Sequence, residues 1–110
     1  MENLNEHPQI AELMEALDKN GMQKEKNEVQ SIVDYIGDME QTLTVMLSEL
    51  QNMRQEIGLI HNSSLRAKCQ NLVQKTDDKI RQGFAACKKM KDNLIRSAAD
   101  AMRTFREKGR

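Results

Sequence analysis

The sequence predicts an all-α protein in which a short N-terminal helix precedes a long antiparallel helical hairpin, coiled-coil-like, that dimerises into a helical bundle. Straight-chain residues that favour helices dominate the composition, which has 31% charged residues, 3% aromatic residues and one proline, Pro8. Apolar residues also recur at three- and four-residue spacing. Because the chain has only 110 residues, 38% of them hydrophobic, we expect a single domain over residues 1–110 with a modest core.

The first helix is predicted over residues 8–19. Pro8 is tolerated in a first helical turn, and Asn20-Gly21 ends the helix as a left-handed cap. A polar connector, residues 22–27, follows. The apolar stripe of this helix has the i, i+3, i+4, i+7 pattern of a helix that packs one face, and it comprises Ile10, Leu13, Met14 and Leu17.

The second helix is predicted over residues 28–60 and carries the strongest periodic signal. Its apolar positions alternate steps of three and four without a miss, which predicts a heptad seam. The seam comprises Val29, Ile32, Ile36, Met39, Leu43, Met46, Leu50, Met53, Ile57 and Ile60. Methionines occupy one heptad position three times, and we interpret them as core. The alternative is a binding groove, since methionine adapts to irregular surfaces.

A turn is predicted over residues 58–64, with one unbroken helix as the alternative. Gly58 can cap a helix, and Asn62-Ser63-Ser64 favours local side-chain hydrogen bonds. The third helix is predicted over residues 64–107. Its stripe comprises Leu65, Cys69, Leu72, Thr76, Ile80, Phe84, Cys87, Leu94, Ala98, Met102 and Phe105.

The two halves of the chain carry opposite charge. Residues 1–60 hold 12 acidic and 4 basic residues, whereas residues 61–110 hold 5 acidic and 13 basic residues. If the second and third helices fold back on each other near residue 62, three acidic residues face three basic ones. These register pairs are Glu28 with Arg96, Glu49 with Lys75, and Glu56 with Lys68. Exposed pairs of this kind select register more than they stabilise.

The predicted hairpin has a thin core, so soluble versions add a third helix or dimerise. We expect a homodimer. The first helix is also expected to cover the end of the third helix, where Ala98, Met102 and Phe105 lack a partner, with Glu12, Glu15 and Asp18 toward Arg96, Arg103 and Arg106.

No catalytic, cofactor or metal motif is evident, and we predict that the protein is not an enzyme. His7 and His61 lack metal-ligand spacing, and adjacent Asp77 and Asp78 point to different sides of a helix. Cys69 and Cys87 would lie about 27 Å apart on one helix, too far for a disulfide. We interpret both as buried thiols, with reactive thiols as the alternative.

Two charged regions offer alternatives to a protein-binding surface. A basic patch of Lys88, Lys89, Lys91, Arg103 and Arg106 suits nucleic acid. The acidic half could instead imitate phosphate charge in the groove of a nuclease, although a solvated face is the simpler interpretation. No apolar run approaches the ~20 residues that span a bilayer and no secretory segment is recognisable, so we expect a cytoplasmic protein without a membrane partner.

The opening segment His7-Pro8-Gln9-Ile10-Ala11-Glu12-Leu13-Met14-Glu15-Ala16-Leu17, followed by a long methionine-rich hairpin, resembles small uncharacterised helical accessory proteins of bacterial conjugative elements and phages. This resemblance implies a protein that binds another macromolecule, a class that includes inhibitors of bacterial defence nucleases. It implies no site residue. The leading hypothesis is therefore a non-enzymatic protein interaction module, with an anti-CRISPR-like nuclease inhibitor and a nucleic-acid binder as alternatives.

Overall fold

The computed structural model describes residues 3–108, and all regular structure in that range is helical. A 3₁₀ turn, Leu4–Glu6, precedes three α-helices: α1 (Pro8–Lys19), α2 (Gln23–Ile57) and α3 (Ser63–Lys108). The predicted fold class, a short helix followed by a helical hairpin, is confirmed. The residues group into two compact units, one built from residues up to Asp38 and from Lys88 onward, the other from Met39–Cys87.

Local chemistry sets both ends of α1, which has its predicted bounds. His7 precedes the helix in extended conformation, and its Nδ1 accepts a hydrogen bond from the amide of Gln9 at 3.2 Å. After the helix, Gly21 has a positive φ of 68°. The amide of Met22 donates to the carbonyl of Leu17 at 2.9 Å, which completes a Schellman motif around the glycine.

The start of α2 lies five residues before the predicted one, because the polar segment 23–26 is made of good helix formers and only residues 20–22 separate the two helices. Asp18 ties this first turn to α1. Its carboxylate accepts hydrogen bonds from Gln23 at 2.6 Å and from Lys26 at 3.3 Å. These bonds, Gln23 first, hold the pKa of Asp18 below its ordinary value.

Residues 58–62 separate α2 from α3, so the predicted turn is confirmed and the unbroken helix is wrong. Asn62 acts as the cap of α3, since its Oδ1 accepts from the amide of Leu65 at 3.0 Å. Arg66 donates to the carbonyl of Ile60 at 2.9 Å and fastens the turn to the new helix. The second helix ends at Ile57, earlier than the predicted residue 60, and α3 differs from its predicted bounds by one residue at each end.

In the first unit, α1 lies against the C-terminal part of α3, as expected from the apolar residues left uncovered there. Arg106 donates to Glu12 at 3.4 Å, and Met102 lines a shallow depression with Ala16. The buried apolar residues of this unit are Leu4, Ile10, Leu13, Leu17, Val33, Ile36 and Ala98. Burial of this stripe removes apolar area from water and stabilises the unit.

In the Met39–Cys87 unit, the end of α2 packs against the start of α3. Its core consists of Leu50, Val73 and Ile80, with Leu43, Leu47, Ile57 and Phe84 packed against them. Gly83 permits a close approach of the two helices. A Cβ added there would lie 3.0 Å from a methyl carbon of Leu43, closer than an ordinary contact.

The buried stripe of this unit differs from the predicted seam, which was wrong at several positions. On α3, Val73 and Asp77 are buried where Leu72 and Thr76 were predicted. A shift of one residue turns the inward face by about 100°. The shift is possible because Arg54 and Arg81, both exposed, donate to the buried carboxylate of Asp77, which a search for apolar periodicity cannot detect. On α2, the predicted core residues Met46 and Met53 are likewise exposed, and Leu47, which follows Met46, packs against the core.

Candidate functional site

Asp77 is the most buried carboxylate of the Met39–Cys87 unit, only 4% exposed, and two arginines hold it. Arg54 of α2 donates to its Oδ2 at 2.7 Å, and Arg81 of α3 donates to its Oδ1 at 3.0 Å. The hydrogen bond from Arg54 is the main cause that holds the pKa of Asp77 below its ordinary value, with the charge of Arg81 adding to it against the effect of burial. This cluster joins the two helices.

Sequence reasoning missed this cluster because it considered Asp77 only together with Asp78, as two carboxylates on different sides of a helix. One signal was available: Arg54 is the only lysine or arginine between residues 27 and 60. A lone cation within an acidic helix, opposite a carboxylate on the next helix, indicates a pair across the hairpin. The neighbouring Asp78 is exposed and accepts from Gln74 at 3.1 Å, as expected for a solvated side chain.

An exposed apolar face is the feature of this unit that suits binding. Four large apolar side chains define it: Met46 is 41% exposed, Met53 47%, Leu65 51% and Leu72 64%. The partly buried Ile57 and Cys69 lie between these residues and the core. Exposed apolar groups that cluster, rather than occur singly, mark interaction surfaces.

The side of the hairpin on which each of the four residues lies follows from the residue after it. Met46 precedes Leu47, and Leu72 precedes Val73, which both belong to the core. Met53 precedes Arg54, which is exposed but donates to Asp77 across the hairpin, and Leu65 precedes the half-buried Arg66. A step of one residue back turns a helix by about 100°. For two antiparallel helices that face each other, this rotation moves the side chains of both toward the same side. The residues therefore form one surface that spans α2 and α3.

The opposite side of the same unit is polar at the equivalent positions. Residues that follow the inward-facing ones form this polar face, and all are exposed: Ser48, Gln51, Gln55, Gln70, Gln74, Asp78 and Arg81. The two sides are thus chemically distinct although both are available to solvent in a single chain.

Charged residues border the apolar face, with one sign on each helix. On α2, Glu49 and Glu56 precede the buried Leu50 and the half-buried Ile57. Both glutamates therefore lie at the outer edge of the apolar face. Lys68 and Lys75 lie along the outer edge on α3. One border is acidic and the other basic, separated by the width of two helices.

The predicted register pairs are not among the ion pairs that the described residues make. Glu28, Glu49, Glu56, Lys68, Lys75 and Arg96 are all exposed. The salt bridges across the hairpin and onto α1 instead join Arg54 with Asp77, Arg106 with Glu12 and Lys26 with Asp18. The pairing of Glu28 with Arg96, Glu49 with Lys75 and Glu56 with Lys68 stays a prediction.

The predicted basic patch is smaller than the sequence suggested. Lys88 and Lys89 are exposed, whereas Lys91 is buried, only 9% exposed. The two tail arginines both contact carboxylates: Arg103 donates to Asp100 at 3.3 Å, and Arg106 donates to Glu12. Of the five residues of the predicted patch, Lys88 and Lys89 are therefore the two that are exposed and outside the described ion pairs.

The remaining candidates for chemistry have structural surroundings. His7 caps α1, and His61 lies exposed in the turn. Cys87 is buried and Cys69 half-buried, 18 residues apart on α3, and neither is in a disulfide. Within residues 3–108, no group of three or more His, Cys, Asp or Glu side chains is arranged to hold a metal ion. No helix over the same range is long and apolar enough to cross a bilayer.

Comparison with known proteins identifies one family. Residues 6–110 match the model of a family of unknown function, DUF6674. No curated protein and no solved structure matches the chain. The match covers α1, the hairpin and the apolar face, and on this basis the chain belongs to the DUF6674 family.

Proposed function

We propose that this protein is a non-enzymatic helical-hairpin module that binds a protein partner through the apolar face of its Met39–Cys87 unit. The observation that supports the proposal is the exposure of Met46, Met53, Leu65 and Leu72 on one side of the hairpin, opposite a polar side. An apolar surface of this kind gains free energy when a partner removes it from water.

The chemistry of the face suits a helix or another apolar protein surface. It offers thioether and aliphatic side chains, with no aromatic ring for stacking on a base and with charge only at its borders. Methionine adapts its shape to a partner because it is unbranched and polarisable. A helix that presents apolar residues at i, i+3 and i+7 would fit between Met53 and Leu72.

A comparative pull-down from the native cell tests this function. The bait is the full chain, used as wild type, as the apolar-face variant Met53→Glu/Leu72→Glu, and as the polar-face control Gln51→Glu/Gln74→Glu. Both variants add two exposed negative charges to the same unit, but on opposite sides of it, and only the apolar-face variant removes apolar side chains. We expect at least one protein that wild type and control retain and the apolar-face variant loses.

Circular dichroism should show the same helical content for all three baits, since every altered residue is exposed. Identical sets of bound proteins for the apolar-face variant and the wild type would contradict the proposal. A set lost equally with the polar-face control would contradict it as well.

Nucleic-acid binding is the weaker alternative, because it relies on Lys88 and Lys89 once Lys91 is buried and Arg103 and Arg106 contact carboxylates. A gel shift that Lys88→Ala/Lys89→Ala abolishes, with affinity that falls as salt rises, would support it. Nuclease inhibition through the acidic half would appear as suppressed cleavage without DNA binding, but no contact of the described residues favours it.

We also infer a cytosolic location and retain a role as an accessory protein of a mobile element, implied by the resemblance of residues 7–17, as a proposal. Two cysteines outside a disulfide are typical of a reducing compartment.

A further inference from the structure

We propose that the occupant of the apolar face is a second copy of this chain, packed so that α2 of each copy lies on α3 of the other with both turns at the same end. This inference rests on the proposed function and names its partner. It assigns the charged borders of the face, Glu49 and Glu56 on one helix and Lys68 and Lys75 on the other, to ion pairs between copies.

The positions of the acidic and basic borders allow ion pairs between two chains. Within one chain they lie at opposite edges of the face, and the described ion pairs leave all four residues out. A second hairpin laid face to face brings one outer edge above the other. If α2 lies beneath α3 of the second copy, acidic and basic borders meet along both outer edges of the dimer.

Symmetry then selects between two arrangements. A two-fold axis parallel to the helices places α2 against α3 of the other copy, antiparallel, with opposite charges together. An axis across the helices places α2 against α2 and sets Glu49 and Glu56 against the same residues of the second copy. Like charges in apposition disfavour that arrangement, so the parallel axis is the one that the borders permit.

The register of the hairpin carries over to this interface. Because the axis runs along the helices, residues at equal height in one chain stay at equal height between chains. Gly83 meets Leu43 within the chain, so positions near residue 70 of one copy lie beside Glu56 of the other, and positions near residue 77 lie beside Glu49. Lys68 and Lys75 are within reach of these carboxylates, and Leu72 lies beside Met53.

The area available suits a weak dimer. The stretch of α2 that holds the apolar face and its acidic border, from Met46 to Ile57, is about 18 Å long, and two packed helices are about 20 Å wide. The face therefore covers about 360 Å² on each copy, or about 700 Å² in total, which is the size class of weak, transient complexes. A small interface gives a dimer whose dissociation depends on concentration and salt.

Mixing of charge-reversed variants tests the arrangement. One full-length variant carries Glu49→Lys/Glu56→Lys and the other carries Lys68→Glu/Lys75→Glu. Each is examined alone and in a 1:1 mixture by sedimentation velocity at low salt, with circular dichroism to confirm helical content. Alone, each variant brings like charges together, and we expect a dissociation constant raised about tenfold or more. In the mixture opposite charges meet again at both edges, and a heterodimer of near wild-type affinity is expected.

Three results would overturn the proposal: a wild-type protein that stays monomeric, single variants that dimerise like the wild type, as the crossed axis predicts, or a mixture without rescue, as pairing within one chain predicts. None of these touches the broader function, which fails if the native-cell pull-down is insensitive to Met53→Glu/Leu72→Glu or equally sensitive to the polar-face control. A partner retained through the apolar face by a monomeric protein would keep the function and remove the dimer.

Discussion

Asp77 shows how one residue fixes the inward face of a long helix. A carboxylate 4% exposed is tolerated because Arg54 and Arg81 donate to its two oxygens at 2.7 and 3.0 Å. With Asp77 inward, Val73 faces the core and Leu72 turns out. The burial of a charged residue, Asp77, is thus what leaves the apolar Leu72 exposed.

Asp77→Asn should lower the free energy of unfolding at pH 7, because the amide keeps the shape and loses the charge-assisted bonds. The folded pKa of Asp77 lies below its unfolded value, so its contribution is present above about pH 3.9 and is lost as pH falls through the folded pKa. Urea unfolding should therefore separate variant and wild type at pH 7 more than at pH 3. The exposed neighbour, as Asp78→Asn, is the control; equal separation at both pH values would contradict the account.

Two helical glycines provide a matched test of close packing. Gly37→Ala meets nothing within 4 Å and should stabilise the chain by about 0.5–1 kcal/mol through helix propensity. Gly83→Ala has the same gain in propensity, but its Cβ would lie 3.0 Å from Leu43, and such overpacking costs about 1–3 kcal/mol. Equal stabilisation by both substitutions, measured by thermal unfolding, would show that the helices do not approach closely at Gly83.

At the scale of the element, the sequence predicted most where local chemistry decides. The bounds of α1 follow from Pro8 and the Gly21 cap, and the turn follows from Gly58 and Asn62. Which residues of α2 and α3 face inward was less predictable. Apolar residues occupy more of each helix than one partner can cover, and periodicity does not say which flank is buried.

The same ambiguity explains the candidate site. Met46 and Met53 belong to an unbroken heptad pattern, so sequence reasoning placed them in the core and kept a groove only as the alternative. Exposure of both, together with Leu65 and Leu72, could be found only once Val73 and Asp77 were known to face inward. The apolar face is formed by those apolar residues of each helix that the partner helix does not cover.

Truncation of neighbouring residues on α3 tests which flank is buried. Val73→Ala should cost about 1–3 kcal/mol of unfolding free energy, because it removes two buried methyl groups from the contact with Leu50 and Ile80. Leu72→Ala should change it by less than about 0.5 kcal/mol in dilute, monomeric protein, since the side chain is exposed. Chemical unfolding at low concentration provides the measurement, and the reverse order would restore the predicted seam.

At the scale of the whole molecule, a dimer would link stability to concentration. A partner that binds only the folded chain raises its apparent stability by mass action. The melting temperature of the wild type should therefore rise between micromolar and hundred-micromolar protein, whereas that of Met53→Glu/Leu72→Glu should stay constant. A melting temperature of the wild type that ignores concentration would argue against self-association.

The opposed charges of the two halves acquire a specific use in this arrangement. Part of the imbalance joins α1 to the end of α3 through Glu12 and Arg106, and part holds Asp77 within the hairpin. Other charges border the apolar face, acidic on α2 and basic on α3. They are complementary to the borders of a second chain.

Sedimentation equilibrium of the wild type and of Met53→Glu/Leu72→Glu tests the central claim most directly. The chain mass is 12.7 kDa. We expect the wild type to approach twice this mass as concentration rises, while the apolar-face variant remains at the mass of one chain and the polar-face control Gln51→Glu/Gln74→Glu behaves like the wild type. A wild type that keeps the mass of one chain at every concentration, or an apolar-face variant that doubles its mass equally well, would contradict the assignment of this face to a second copy.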